Sequence, residues 1–207
     1  MPAKKAPAAA LPPTSKLRAQ KRRAELLKAA RKVFAEHGYE AATVQAIVRE
    51  AGVAQGTFYL YFPAKQDALV ELRADLFRKV VEAVLQAVGE EEDRSAWVRL
   101  GVSAVFNTAY RHRDLLRVLV ATAGTAGGQG TDVALQACVD RLAVVLEHEL
   151  AAGRLAAMDP RATAHMVVVL LEQLASSAIT QELPRPPGAT EDALERFLRS
   201  ALQLGTD

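Results

Sequence analysis

Residues 43–65, TVQAIVREAGVAQGTFYLYFPAK, restrict the fold more than any other stretch, because they require two short helices to meet across a glycine. Thr43 carries a hydroxyl suited to capping the first helix, and Val44, Ile47, Val48 and Ala51 recur at the spacing of one helical face. Gly52 then breaks the helix, since glycine alone enters the left-handed C′ conformation at little steric cost. A second helix starts near Ala54 or Gln55 and is stopped after about two turns by Pro63. Two helices joined by a short glycine-containing turn form a helix-turn-helix, whose second helix enters the major groove of DNA.

At 100° per residue the second helix divides into two sides. Phe58, Tyr61 and Phe62 gather on the side expected to be buried, and Gln55, Gly56, Tyr59 and Leu60 lie opposite. Gln55 suits an adenine edge, Gly56 permits close backbone approach, Tyr59 reaches a phosphate or base, and Leu60 meets either a thymine methyl or the rim of the helix pair. Lys65 opens the following helix, where a cation opposes the macrodipole; an external anion such as a DNA phosphate would relieve that conflict.

Residues 24–69 resemble the DNA-binding domain of the TetR family of bacterial transcriptional regulators. The resemblance rests on Phe34, Gly38 and Tyr39 closing the first helix, Thr43 opening the second, the Ala51–Gly52–Val53 turn, Gly56 with Thr57, the aromatic run Tyr59, Tyr61 and Phe62, and then Lys65 and Leu69. It implies operator contacts by Thr43, Gln55, Gly56, Thr57, Tyr59, Tyr61 and Lys65, mostly through phosphates. Three positions depart from the family pattern. Ala54 stands in place of the usual serine, Val48 in place of alanine, and Gln55 where lysine or arginine is frequent. The first removes a capping oxygen, and the last removes one cationic phosphate contact, shifting the demand for charge to the N-terminal arm.

That arm is an Ala/Pro-rich stretch, expected to be disordered over residues 1–15, followed by a basic run in which Arg18 and Arg22 are candidate DNA contacts alongside Lys16, Lys21 and Arg23. It lacks the continuous apolar segment of a secretory signal. The formal net charge of +2 conceals a division, because residues 1–65 carry 12 Lys and Arg against 4 Asp and Glu while the remainder is net acidic. Residues 16–64 are expected to form the DNA-binding domain and residues 65–207 an effector-binding and dimerisation domain.

The rest of the chain has helical periodicity almost throughout, predicting an all-α protein of about nine helices. After the first three, the remaining helices are expected near residues 65–88, 94–112, 114–123, 131–152, 160–181 and 191–204. Asp159 and Pro160 supply an N-cap and first-turn signal. The glycine-rich run 124–130 follows a helix and lacks a phosphate-loop ending, so it is read as a connection. The longest apolar run, residues 166–171, is too short to cross a bilayer, so no membrane partner is expected. One cysteine excludes an internal disulfide and fits a cytoplasmic location.

Two apolar stripes, one containing Met166, Leu170 and Leu174 and the other Leu194, Phe197 and Leu198, exceed what one helix face needs. The resemblance implies that these last two helices pair with their copies, giving a homodimer that reads a near-palindromic double-stranded operator. It also implies a small-molecule effector site inside the body. Trp97, Phe106, Asn107, Tyr110, Cys138, His165 and Gln173, with Ser176, are the polar or aromatic residues on otherwise aliphatic helices and are candidates for its wall. The apolar body favours a hydrophobic or amphipathic effector.

Catalysis has little support. The four histidines are scattered, Glu147–His148–Glu149 lacks metalloprotease spacing, and no nucleophile elbow is present, so neither metal nor cofactor is expected. The sequence therefore points to a ligand-responsive transcriptional regulator, most simply a repressor. The alternative is a small-molecule binding protein of the same fold with weak or no specific DNA recognition.

Overall fold

The computed structural model describes residues 13–89, 93, 96–122, 131–181 and 188–202, with the side chains of 13–15, 131–132 and 188–190 set aside. Nine helices are present among them: α1 (Pro13–His37), α2 (Val44–Ala51), α3 (Gln55–Tyr59), α4 (Lys65–Gly89), α5 (Trp97–Arg111), α6 (Arg113–Ala121), α7 (Thr131–Ala151), α8 (Pro160–Thr180) and α9 (Gly188–Ala201). The expected disordered segment overlaps the start of α1, which already includes Pro13. Proline is tolerated in a first helical turn, where its missing N–H has no intrahelical partner to lose. The rest of that segment and the glycine-rich run 124–130 lie outside the described residues. α9 begins at Gly188, three residues before the expected start.

α1, α2, α3 and the first turns of α4 form the head. Leu26, Phe34, Ile47, Phe58 and Leu69 are fully buried there, and Phe62 is nearly so. The same core takes in Leu115, Val118 and Leu119 from α6, so the body contributes directly to the packing beneath α1, α2 and α3. A second core joins α5, α8 and α9 through Val102, Phe106, Ala175, Ile179, Leu194 and Leu198, and a third joins α7 to α8 through Val139, Ala143, Leu146 and Ala164. Asp159 caps α8 as its sequence indicates, accepting the Ala162 N–H at 2.9 Å.

α8 is long and apolar enough to cross a membrane by length and composition, with a mean hydropathy of 1.4 over its most apolar window. The short uninterrupted run 166–171 understates this, because alanines on either side, with Leu174 and Ile179, keep the average high. In the fold, α8 packs on α5, α6 and α7.

A polar clamp fixes the head to the body. The Arg31 guanidinium on α1 donates to both Asp114 carboxylate oxygens on α6, at 2.7 and 3.0 Å from one nitrogen and 3.1 Å from Nε, and its other nitrogen lies 3.0 Å from His112 Nδ1. Burial works to raise the Asp114 carboxyl, but the hydrogen bonds and charge of Arg31 outweigh it and hold the group below the usual carboxylate range. His112 is pushed below its ordinary value of 6.5 by burial and then by the neighbouring Arg31 charge.

Candidate nucleic-acid interface and effector cavity

The α2–α3 turn is built as the sequence requires. Thr43 Oγ1 accepts the Ala46 N–H at 3.1 Å. At the other end Gly52 has φ 65°, its N–H donates to the Arg49 carbonyl, and the Val53 N–H donates to the Val48 carbonyl. That bond pair is a Schellman motif, which satisfies carbonyls left open at a helix end and sets the direction of the exit. Ala54, at the N-cap of α3, makes no side-chain capping bond, as expected once serine is replaced.

α3 ends at Tyr59, earlier than the expected stop at Pro63, but the division into two sides is present and continues through the turn that follows. Phe58 and Phe62 are buried with ring centroids 5.4 Å apart, and Tyr61 packs partly against the same core. Gln55, Gly56 and Tyr59 are exposed, Thr57 is half-buried, and Leu60 is 80% exposed, which fits both a thymine contact and an exposed rim residue. Arg18 is exposed on α1, whereas Arg22 pairs with Glu25 at 2.7 Å. Arg49 projects from the exposed side of α2, opposite Ile47, at a position to which the helix-turn-helix pattern assigns no role.

Two cations read as phosphate contacts are engaged inside the head instead. Lys65 Nζ donates to the carbonyls of Tyr39 (2.7 Å), Ala42 (2.9 Å) and Glu40 (3.2 Å), and sits 4.4 Å from the centroid of the Tyr39 ring. An ammonium has three N–H donors, so these bonds occupy all of them. The conflict between Lys65 and the start of α4 is thus relieved by the carbonyls of the α1–α2 turn, without an external anion. Arg23 pairs with Glu71 on α4 and lies 4.9 Å over the Phe62 ring. Both residues hold α4 to the other head helices.

The body contains a cavity of about 730 Å³ among α4, α5, α6, α7 and α8. Of the residues expected in its wall, Trp97, Cys138, Gln173 and Ser176 line it. Phe106 and Tyr110 do not: they are buried in the second core, one step around α5 from the stripe Val98, Gly101, Val102, Val105 and Ala109 that faces the cavity. Asn107 and His165 are exposed on outer faces. Polar character on an aliphatic helix marks an exception to the pattern, but not which side of the helix carries it. The charged wall residues Arg73, Arg141, Glu149 and Glu172 were missed for the same reason.

Glu149 is nearly buried and receives two bonds from Arg154, at 2.6 and 2.8 Å. A second space of about 720 Å³ lies between α4 and α7 and shares Phe77, Val81, Cys138 and Arg141 with the first. Burial pushes the Cys138 thiol up to about 11.

Of the stripes assigned to pairing, Met166 and Phe197 are 63% and 59% exposed, joined by Val169. Leu194 and Leu198 are buried in the protomer's own core, because α9 docks on α5 through them. Leu170 and Leu174 pack partly against that core.

A glycine-turned helix pair whose second helix exposes one side, carried on a hollow helical body, defines the class of helix-turn-helix transcriptional regulators. The family model described as bacterial regulatory proteins, tetR family, matches residues 26–72. The uncharacterized HTH-type transcriptional regulator YdgC of Bacillus subtilis is 30% identical over 190 residues, spanning 89% of this chain and 95% of that protein. The chain belongs to the TetR family. The fatty acid metabolism regulator protein of Bacillus subtilis is 34% identical over 83 residues, 40% of this chain and 43% of its own length. Among solved structures, the fatty acid degradation regulator FadR from Bacillus halodurans superposes with a TM-score of 0.74 at 24% identity, covering 86% of this chain and 94% of that one. FadR from Bacillus subtilis in complex with stearoyl-CoA gives 0.69 at 21% identity, covering 84% and 96%.

Proposed function

We propose that this regulator is a repressor that binds a near-palindromic operator as a homodimer and is released when a small hydrophobic or amphipathic molecule fills the body cavity. One observation carries the reading: α4 belongs to both halves. Its Ala68, Leu69 and Leu72 are buried in the head core, while Leu76, Phe77, Val80 and Val84 wall the cavity. A ligand that alters the packing along the second half of α4 therefore acts on the element that sets the head's position. By linkage, DNA and ligand weaken each other's binding by the same factor, and reversing a 99:1 occupancy takes about 5.5 kcal/mol of differential affinity.

Exposed Met166, Val169 and Phe197 on α8 and α9 support pairing of two copies across that face. Such a dimer places recognition helices about 34–36 Å apart, in successive major grooves. In the head, Gln55, Tyr59 and Leu60 read base edges, with Thr43, Gly56 and Thr57 at the backbone and Arg18 and Arg49 supplying charge. The stearoyl-CoA held by the Bacillus subtilis relative lends support to an apolar or amphipathic effector. A helical regulator of this kind works in the cytoplasm.

Fluorescence anisotropy with a labelled duplex from upstream of the chain's own gene, titrated at several salt concentrations, tests the reading. Two protomers bound per duplex, with affinity well above that for a scrambled duplex, are expected. Equal affinity for both duplexes at every salt concentration would transfer support to a small-molecule binding protein that does not read sequence.

A further inference from the structure

Arg73 is the exception in the cavity wall. It is 5% exposed, yet no carboxylate lies within ion-pair distance of it among the described residues, and its one hydrogen bond runs from Nη2 to the Leu119 carbonyl at 3.1 Å. A guanidinium carries five N–H donors. Every fully enclosed side-chain nitrogen and oxygen among the described residues has a partner, so the unused nitrogens of Arg73 must face open space, and the cavity is the space that Arg73 lines. The nearest influence of opposite sign is Glu172 on α8, which is half-exposed and acts on Arg73 only through its field.

Buried cations are ordinarily paired, because an unpaired charge loses its hydration without compensation. Here the partner is missing and a space of ligand size lies in front of the donors. We infer that the effector is an apolar molecule bearing one carboxylate, which enters the cavity acid end first and is held by the Arg73 guanidinium. This inference rests on the proposed effector role of the cavity and adds the chemistry of the ligand and the end of the site that reads it.

The exchange is favourable on both sides. A carboxylate is a stronger acceptor than a peptide carbonyl, and a fork-shaped guanidinium suits its two oxygens. The Leu119 carbonyl is not stranded when Arg73 turns away, because the Thr122 hydroxyl proton, shared between the Val118 and Leu119 carbonyls at 2.9 and 3.1 Å, can settle on Leu119 while Val118 keeps the Thr122 N–H. Glu172 opposes a second carboxylate weakly, being outside ion-pair reach and partly in solvent, so its removal strengthens acid binding. Arg141 lines both spaces and is exposed, so it does not replace the buried donor.

The test is a fluorescence titration of the full chain with cis-parinaric acid and with its methyl ester, which share the apolar body and differ in charge. Wild type is expected to bind the acid about tenfold more tightly than the ester, as a charge-assisted bond requires. Arg73→Met should erase that preference by weakening the acid far more than the ester, Arg73→Lys should retain part of it, and Glu172→Gln should enlarge it. Circular dichroism confirms that each variant folds, and the ester serves as an internal check on the cavity. Equal binding of acid and ester by wild type, or a preference that survives Arg73→Met, overturns the inference and leaves the cavity reading intact. Failure of both probes to bind wild type overturns the cavity reading itself.

Discussion

The head and the body bury different kinds of side chain. Phe34, Phe58 and Phe62 are all nearly inaccessible within the head, whereas the larger body buries one phenylalanine to that degree, Phe106, and otherwise packs mainly with valine, leucine and alanine around an open space. Large rings in fixed edge and tilted contacts allow few alternative packings. Short aliphatic residues around a cavity lack partner atoms on one side and tolerate rearrangement. A reading surface has to keep its shape, and a receptor has to change it.

Phe58→Ala should show this contrast most strongly. Removing a fully buried ring costs about 3–5 kcal/mol, enough to unfold the head, whereas Val80→Ala in the cavity wall should cost about 1 kcal/mol. Thermal melts followed by circular dichroism compare the two, and similar losses would mean that the body is packed as tightly as the head. Lys65→Met ranks next, since it strips three turn carbonyls of their donor and should lower stability by about 1–3 kcal/mol. If its melting temperature were unchanged while the salt dependence of DNA binding fell by one phosphate contact, Lys65 would be reassigned to DNA.

The junction between the halves should be sensitive to acid. His112 and Asp114 both titrate below their ordinary values of 6.5 and 3.8 in the fold, so each stabilises the protein above its unfolded value. That stability is lost as pH falls, first through His112 below about 6.5 and then through Asp114 in the carboxylate range. Asp114→Asn should cost no more than about 1 kcal/mol at pH 7, because the pair is partly solvated. His112→Asn should flatten the stability profile between pH 7 and 5, and an unchanged slope would remove His112 from the junction. The smallest effect on stability belongs to Leu60→Ala, within about 0.5 kcal/mol, with a change in preferred operator bases as its readout.

The legible parts of the sequence were those where one residue type has one local use. Thr43, Gly52 and the Asp159–Pro160 pair set helix ends through short-range bonds, and the alternation of Phe58 and Phe62 with Tyr59 and Leu60 revealed two sides of a helix. Lys65 and Arg23 were less legible, because their partners lie across the tertiary fold at Tyr39, Ala42 and Glu71. In the body, an all-round apolar helix such as α8 meets partners on several faces, and periodicity does not say which face borders empty space. Arg73 therefore reads in sequence as one more charged position on a long helix, while Leu194 and Leu198 read as spare surface until α5 is found against them.

Cys138 gives the protein a built-in reporter on its cavity. It is the chain's sole cysteine, half-buried at the boundary of both internal spaces, and its raised thiol is almost wholly protonated near neutrality. Only the thiolate reacts, so alkylation should be slow near neutrality and quicken as pH rises towards 11, and a molecule that fills the cavity should slow it further.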